Sequence, residues 1–381
     1  MSKPPGRRVF LNDVTLRDGE QAPRVAFTDD DKVNVANVLQ WLGVDQLQIG
    51  FAADGVRIAE RLRAGGVTLP LEALCVGFAP DWREQIERVV AAGIDGVNVL
   101  LRTSDAHLEL LGLTRAEVVE RAANAIGCAR HAGARTVVFG PSFCFQADRT
   151  FLLELIAEAQ LSGADRVTLA DTVGSAAPSA LAELVSEVRA RIPIEVGVHC
   201  HDDLGLATAC SLAGIEAGAS WVDTSSGGLG ERAGNAALEE VVVSATQLLG
   251  VDLGLHLSRL REAVHTVAAA AGVQVPPAKP VVGDDAFAQK LDLHVKNALL
   301  RPELFEPYDP ALVGGARVIR LGKGSGPAAV QAKAAEYDLP TLTTDELDLA
   351  VEWVSRQSER TKSCVADSQF VGYLEELRAG E

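Results

Sequence analysis

Ser162-Gly163-Ala164-Asp165-Arg166-Val167-Thr168-Leu169-Ala170-Asp171-Thr172 contains the unit from which the fold is read. Gly163 closes a helical stretch in the left-handed conformation, which a residue without Cβ adopts at no steric cost. A short apolar strand, Val167-Thr168-Leu169, follows within a few residues and ends in the polar pair Asp171-Thr172. The same order recurs along the chain. Leu42-Gly43-Val44 precedes Leu47-Gln48-Ile49, Ala92-Gly93-Ile94 precedes Val97-Asn98-Val99-Leu100, and Ala132-Gly133-Ala134 precedes Val137-Val138-Phe139. The last copy is Ala217-Gly218-Ala219 before Trp221-Val222. Strands near 9–14, 71–78 and 194–198 complete a set of eight. Helical patterns lie between them, near 28–42, 55–65, 81–93, 114–131, 149–162, 177–191, 205–217 and 233–249.

Eight alternations in about 250 residues match the size of a (β/α)₈ TIM barrel. An open doubly wound sheet would carry a glycine-rich phosphate fingerprint after its first strand. Here that strand runs into Leu16-Arg17-Asp18-Gly19-Glu20-Gln21 instead. The fold class is therefore α/β, with a barrel over 1–275 and a linker plus small, mainly helical C-terminal region over 276–381. Pro276-Pro277-Ala278-Lys279-Pro280 marks the join. An alanine-rich helix is expected over 252–275. Beyond the join, helices are expected over 284–300, 327–337 and 344–359, with a loop-rich stretch at 310–326.

Composition narrows the function. A formal net charge of −17 argues against nucleic acid and anionic membranes as partners, and an anionic substrate would need a local basic pocket. At 48% hydrophobic there is ample material for a core, yet no apolar run approaches the roughly eighteen residues of a membrane span. Met1-Ser2-Lys3-Pro4-Pro5-Gly6-Arg7-Arg8 has no apolar region of a secretory signal. Six scattered cysteines, at 75, 128, 144, 200, 210 and 364, predict reduced thiols in a cytoplasmic protein.

In such a barrel the chemistry sits at the carboxyl ends of the strands. Arg17, Asp18, Glu20 and Gln21 follow strand one, and Arg102, Thr103, Ser104, Asp105 and His107 follow strand four. Asp171 and Thr172 follow strand six, His199 and His201 close strand seven, and Thr224, Ser225 and Ser226 close strand eight. His199 and His201 are two apart and share one face of an extended chain, close enough to hold one cation. Such a pair also occurs as two hydrogen-bonded polar residues at a strand end, but convergence on one rim favours the metal. Asp18 is the carboxylate for that cation, and Asn235 can add an amide oxygen. Arg17 offers a planar fork suited to a 2-oxo acid. Gln21, Gln48, Ser104 and Thr172 are expected to line the substrate site, with Glu20 beside Arg17 in the chemistry. Arg102 and His107 are the candidates to hold a distal acid group; alternatively Arg102 pairs with Asp105 at the surface. Gly227-Gly228-Leu229-Gly230-Glu231-Arg232-Ala233-Gly234-Asn235-Ala236 has the look of a phosphate loop, which its Glu-Arg pair weakens.

Three stretches carry a family resemblance. They are Asp13-Val14-Thr15-Leu16-Arg17-Asp18-Gly19-Glu20-Gln21, His199-Cys200-His201-Asp202-Asp203-Leu204-Gly205-Leu206-Ala207 and Gly228-Leu229-Gly230-Glu231-Arg232-Ala233-Gly234-Asn235. The chain resembles the metal-dependent barrels that include homocitrate synthase, 2-isopropylmalate synthase and hydroxymethylglutaryl-CoA lyase. Similarity continues through Leu293-His294-Val295, Asp309-Pro310 and Leu321-Gly322-Lys323, as in the synthases rather than the lyases. The resemblance implies a divalent cation (Mn²⁺, Mg²⁺ or Zn²⁺) on Asp18, His199 and His201 with Asn235 nearby. It implies acetyl-CoA as co-substrate, condensed with a 2-oxo acid with release of CoA. It also implies His294 as the base, supplied within a homodimer of exchanged C-terminal regions. A metal-dependent carbon–carbon lyase or aldolase is the alternative activity.

Departures from the synthase pattern matter as much. Gln48 stands where Glu is usual, and Pro141-Ser142-Phe143-Cys144-Phe145-Gln146 replaces an acidic-rich loop. Cys210 replaces an Asn, Gln289 and Gly324 stand where His is common, and Asp292 replaces a Gly. An intact cation site with remodelled substrate contacts points to a shifted 2-oxo acid. Arg102 favours a diacid such as 2-oxoglutarate, oxaloacetate or phosphonopyruvate over an aliphatic oxo acid.

Overall fold

Each of eight parallel strands pairs with the next in sequence and the last with the first, closing a barrel in this computed structural model, which describes residues 8–379. The strands are β1 (Phe10–Asp13), β2 (Gln46–Phe51), β3 (Leu71–Val76) and β4 (Gly96–Arg102). They continue as β5 (Thr136–Ser142), β6 (Arg166–Asp171), β7 (Glu195–Cys200) and β8 (Trp221–Thr224). Closure is direct, with Phe10 opposite Trp221 and Asp13 opposite Thr224. The sequential order follows from the repeat: a helix returning over each strand places the next one alongside it with right-handed crossover.

The glycines read as stops end helices in the structure. Gly43, Gly133 and Gly218 cap Asp29–Leu42, Arg115–Ala132 and Ala207–Ala217 at φ 103°, 95° and 116°. Two of the helices open on reciprocal caps, Thr28 with Asp31 and Thr114 with Glu117. Val35, Leu39 and Leu42 of the first, like Val118, Ala122, Ile126 and Ala129 of another, turn a buried stripe toward the barrel wall.

Several boundaries differ from the sequence expectation, each for a local reason. A helix absent from it, Asp105–Leu111, follows β4. The helix expected from 233 begins at Leu238, because Asn235 bridges to His201 and Ala237 to Ser225 in extended conformation first. The helix expected over 252–275 is limited to Leu260–Ala270, preceded by a tight turn at Leu257–Arg259.

The chain divides between Val275 and Pro276 into two compact units. In the second, the helix expected over 284–300 occupies only Asp292–Leu300. Ala288–Gln289 instead forms a short parallel ladder with Val318–Ile319, a sheet the sequence reading omitted. Helices Pro327–Glu336, Thr344–Thr361 and Asp367–Ala379 enclose a core that includes Val330, Ala350, Val354, Phe370 and Leu374. Among the described residues no helix is long and apolar enough to cross a membrane.

Candidate active site

At the carboxyl ends of the barrel strands lies a cavity of about 330 Å³. Pleat alternation decides what reaches it: Asn98, Leu100 and Arg102 from β4, Thr168 and Ala170 from β6, then His199 and, just past β7, His201. Arg17, Asp18, Gln21, Gln48 and Thr172 line it as well.

The tightest cluster of ligating atoms joins residues far apart in sequence. Asp18, His199 and His201, all buried, bring one ligating atom each to within 4.8 Å of one another. The two Nε2 atoms are 3.2 Å apart, and Asp18 Oδ2 lies 3.7 Å from His199 and 3.9 Å from His201. Donors around a divalent cation with bonds near 2.1 Å are spaced roughly 3 to 3.6 Å, so this triangle needs little closing to bind one. Protonation states agree. Burial, then the neighbouring His199, lowers the His201 pKa to about 3, leaving its lone pair available at neutral pH. Burial opposes charge on Asp18, but Arg17, His199, His201 and the Asn235 hydrogen bond outweigh it and hold the carboxyl below its usual range.

The supporting groups are in place. Asp223 Oδ2 lies 3.2 Å from His199 Nδ1, the carboxylate contact that orients a metal-binding imidazole with Nε2 outward. Asn235 donates its amide to Asp18 Oδ1 at 2.9 Å and to the Leu229 carbonyl, while its own Oδ1 is buried without a partner. With its nitrogen on the cluster's carboxylate, this amide leaves its oxygen free to serve as a fourth ligand atom, the second oxygen, for a cation held there. The loop read as phosphate-like serves this cluster instead: the Glu231 N–H donates to Asp18 Oδ1 at 3.2 Å, and Arg232 pairs with Asp203 at 2.7 Å.

Arg17 bridges two of these groups, donating to Asp18 Oδ2 and, through Nε, to Gln48 Oε1. Arg102 lies with its guanidinium 4.9 Å from the Phe78 ring centre. Asp105, the surface partner considered for it, is instead held by Arg115 at 2.7 Å, and among the described residues Arg102 has no carboxylate partner.

Other expected residues sit elsewhere. Glu20 pairs with Lys32 at 2.6 Å and is not among the cavity-lining residues. Ser104 and His107 bond to each other at 2.6 Å behind the wall, where His107 stacks on Phe143 with ring centres 3.8 Å apart. Burial, then the charge of Arg102, lowers the His107 pKa. Its ring therefore backs Phe143 rather than carrying charge into the cavity. His294 lies in the second unit, exposed and 5.4 Å from the Phe305 ring. The sequence reading missed the apolar wall, Phe51, Leu74, Val76, Phe78 and Phe143, and also Asp223. A carboxylate facing the histidine strand within the apolar run of β8 was the available signal for the last.

Residues 8–267 match the HMGL-like family, and residues 281–362 match the family described as homocitrate synthase post-HMGL domain-like. Homocitrate synthase of Methanopyrus kandleri is 41% identical over 86% of this chain and 82% of its own. 2-Isopropylmalate synthase 2 of Caldanaerobacter subterraneus is 36% identical over 97% of this chain and 96% of its own. The chain belongs to the family of homocitrate and 2-isopropylmalate synthases. It is thus an acyltransferase of that type, in a metal-dependent family that uses acetyl-CoA as co-substrate. A hydroxymethylglutaryl-CoA lyase from Pseudomonas aeruginosa shares the barrel, with a TM-score of 0.62 at 22% identity over 71% of this chain and 95% of its own. That likeness is one of fold. Against the synthase family, the departures fall into two groups. Gln48, Ser142 and Phe143 line the cavity, whereas Cys210 is buried outside it, its thiol donating to the Ala176 carbonyl at 3.3 Å. Asp292 accepts the Ala329 N–H near the start of Pro327–Glu336, within the second unit.

Proposed function

We propose that this synthase condenses acetyl-CoA with a 2-oxo acid bearing a second acidic group, releasing CoA and a homocitrate-type product. The single observation that carries the diacid is Arg102, a guanidinium at the cavity without a carboxylate of its own. The names of relatives span homocitrate, 2-isopropylmalate and citramalate, so family membership alone does not choose the oxo acid. Arg102 supports a diacid: a guanidinium at the cavity wall can bind a carboxylate or phosphonate bidentately, and an aliphatic side chain there would leave it without an anionic partner. Oxaloacetate, 2-oxoglutarate and phosphonopyruvate satisfy it.

Asp18, His199, His201 and Asn235 would hold a divalent cation, which when bound supplies Lewis acidity to the keto oxygen. Arg17 orients the oxo acid and stabilises the negative charge that develops on that oxygen. The base is proposed to be His294 of a second copy, in a homodimer of exchanged C-terminal regions. It takes a proton from the acetyl methyl; the new carbon–carbon bond joins that carbon to the keto carbon. Water then cleaves the thioester, and thiolate release makes the condensation irreversible. The apolar wall of Phe51, Phe78 and Phe143 limits water around the enol before it adds.

Thiol release from acetyl-CoA, followed across oxaloacetate, 2-oxoglutarate, phosphonopyruvate, pyruvate and 2-oxoisovalerate with Mn²⁺ present, tests the assignment. Arg102→Ala is expected to raise KM for the best diacid by about a hundredfold and leave that for pyruvate within a few-fold. Equal effects on both, or 2-oxoisovalerate as the best substrate of the wild type, would remove the diacid.

A further inference from the structure

Under the floor of the cavity the barrel interior holds charge where aliphatic layers are usual. Glu72 on β3 is fully buried. Its Oε1 accepts from Gln48 Nε2 at 2.6 Å and from Asn98 Nδ2 at 3.0 Å. Its Oε2 accepts from Arg166 Nη2 at 2.5 Å and from Gln46 Nε2 at 3.4 Å. Arg166 in turn donates to Gln46 Oε1 and stacks 4.0 Å from the Trp221 ring centre. One carboxylate thus fills its roughly four lone-pair positions with four donors.

Gln48 is the link between this buried network and the site. Below, its Nε2 donates to Glu72; above, its Oε1 accepts from Arg17. The two ends of an amide have nearly the same shape, so its neighbours decide which end faces which way. A carboxylate only accepts and a guanidinium only donates, which leaves Gln48 one orientation. We infer that Glu72 is a positioning residue for the 2-oxo acid: through Gln48 it fixes where the Arg17 fork points, and its charge is why residue 48 is an amide here.

The second half of that statement follows from charge. A glutamate at position 48 would set two carboxylates about as close as the present 2.6 Å contact, where both cannot stay ionised. Gln48 is therefore one half of a compensated pair. What Arg17 holds rests on the function proposed above, whereas the pairing of 48 with 72 does not.

The test is a charge-exchange cycle: Gln48→Glu, Glu72→Gln and the double variant. In the double variant the amide placed at position 72 can keep its oxygen toward Arg166 and give its nitrogen to the carboxylate placed at position 48. Asn98, whose Oδ1 has no partner now, can turn that oxygen to the same amide. Gln48→Glu alone is expected to lower Tm and, with Mn²⁺ present, to weaken pyruvate binding measured by calorimetry by about tenfold, with Mn²⁺ affinity within about twofold of wild type. The double variant is expected to recover both Tm and pyruvate affinity relative to Gln48→Glu. Glu72→Gln alone, with its oxygen kept toward Arg166, sets its amide nitrogen against Gln48 Nε2, two donors face to face, and need not fold; the comparison of Gln48→Glu with the double variant does not depend on it. Wild-type Tm and pyruvate affinity in Gln48→Glu, or a double variant no better than that single one, would overturn the inference. Recovered Tm without recovered pyruvate affinity would also overturn it, reducing Glu72 to a structural partner. A wild type that binds no pyruvate would instead count against the proposed function, while the Tm cycle still reports on the pair.

Discussion

Asp13 and His201 are both buried titratable groups in the barrel, and burial moves them in opposite senses relative to folding. Burial is the largest cause of a rise in the Asp13 pKa from 3.8 to about 7; bonds from Thr15 oppose it, and the charges of Asp223 and Glu239 add to it. The folded state therefore holds the Asp13 proton more tightly than the unfolded chain. Its contribution to stability is complete below about 3.8 and is lost as pH rises through about 7. His201, lowered to about 3, acts the other way: the unfolded chain binds its proton more tightly, so that term raises stability as pH rises from 3 toward 6.5 and is flat above. Asp13→Asn has no proton to lose. Relative to wild type it is expected to gain about 1–3 kcal/mol in urea unfolding between pH 5 and pH 8, both measured in EDTA. A difference independent of pH would show that Asp13 ionises normally. Residue identity in these cases was plain from the chain. The environment that shifts it was not, since Asp13, Asp223 and Glu239 are neighbours only after the barrel closes.

At the scale of the element, the segment between β8 and the helix Leu238–Ser244 was the hardest to read. Its glycines suggested a phosphate cradle, and its periodicity suggested helix from 233 onward. Neither competing signal anticipates that Asn235 and Ala237 bridge to His201 and Ser225 in extended form. Gly234 makes that path possible: its φ is 99°, and a Cβ there would lie 2.0 Å from the Gly228 carbonyl oxygen. Gly234→Ala is expected to displace Asn235 and the Glu231 amide from Asp18. Mn²⁺ affinity should fall by about 10- to 100-fold in calorimetry, the range for groups that orient metal ligands. Unchanged affinity would mean the loop serves the barrel rather than the ion. By contrast, the strands and most helices were legible from sequence because their signals are local. A glycine stop, a capping box and an apolar run each act within a few residues.

Across the whole molecule, a chain of net charge −17 brings Arg17, Arg102 and Arg232 to one cavity whose lining also holds Asp18, Asp223 and Glu231; with Arg17 on Asp18 and Arg232 on Asp203, Arg102 is the guanidinium there left without a carboxylate. The second unit carries His294 on a helix whose Leu291, Leu293, Leu299 and Leu300 neighbours are exposed. If His294 serves a partner's barrel, two individually inactive variants, His294→Ala and Arg17→Ala, should regain part of the wild-type thiol release after mixing and subunit exchange. His294→Ala alone should still bind Mn²⁺ and the oxo acid. No recovery on mixing, with exchange verified by mass, would return the base to the same chain or to another residue.

The eight barrel strands, the barrel, and the membership of Asp18, His199 and His201 in one site were decided by sequence, because periodicity, glycine stops and strand-end position are properties of neighbours along the chain. Only the tertiary structure separated Arg102, unpaired at the cavity, from Ser104 and His107 behind the wall, and joined Gln48 to Glu72, Asn98 and Arg166 beneath it. Those distinctions depend on which way a side chain turns and which distant group it meets. Barrel closure, not any local stretch, determines both.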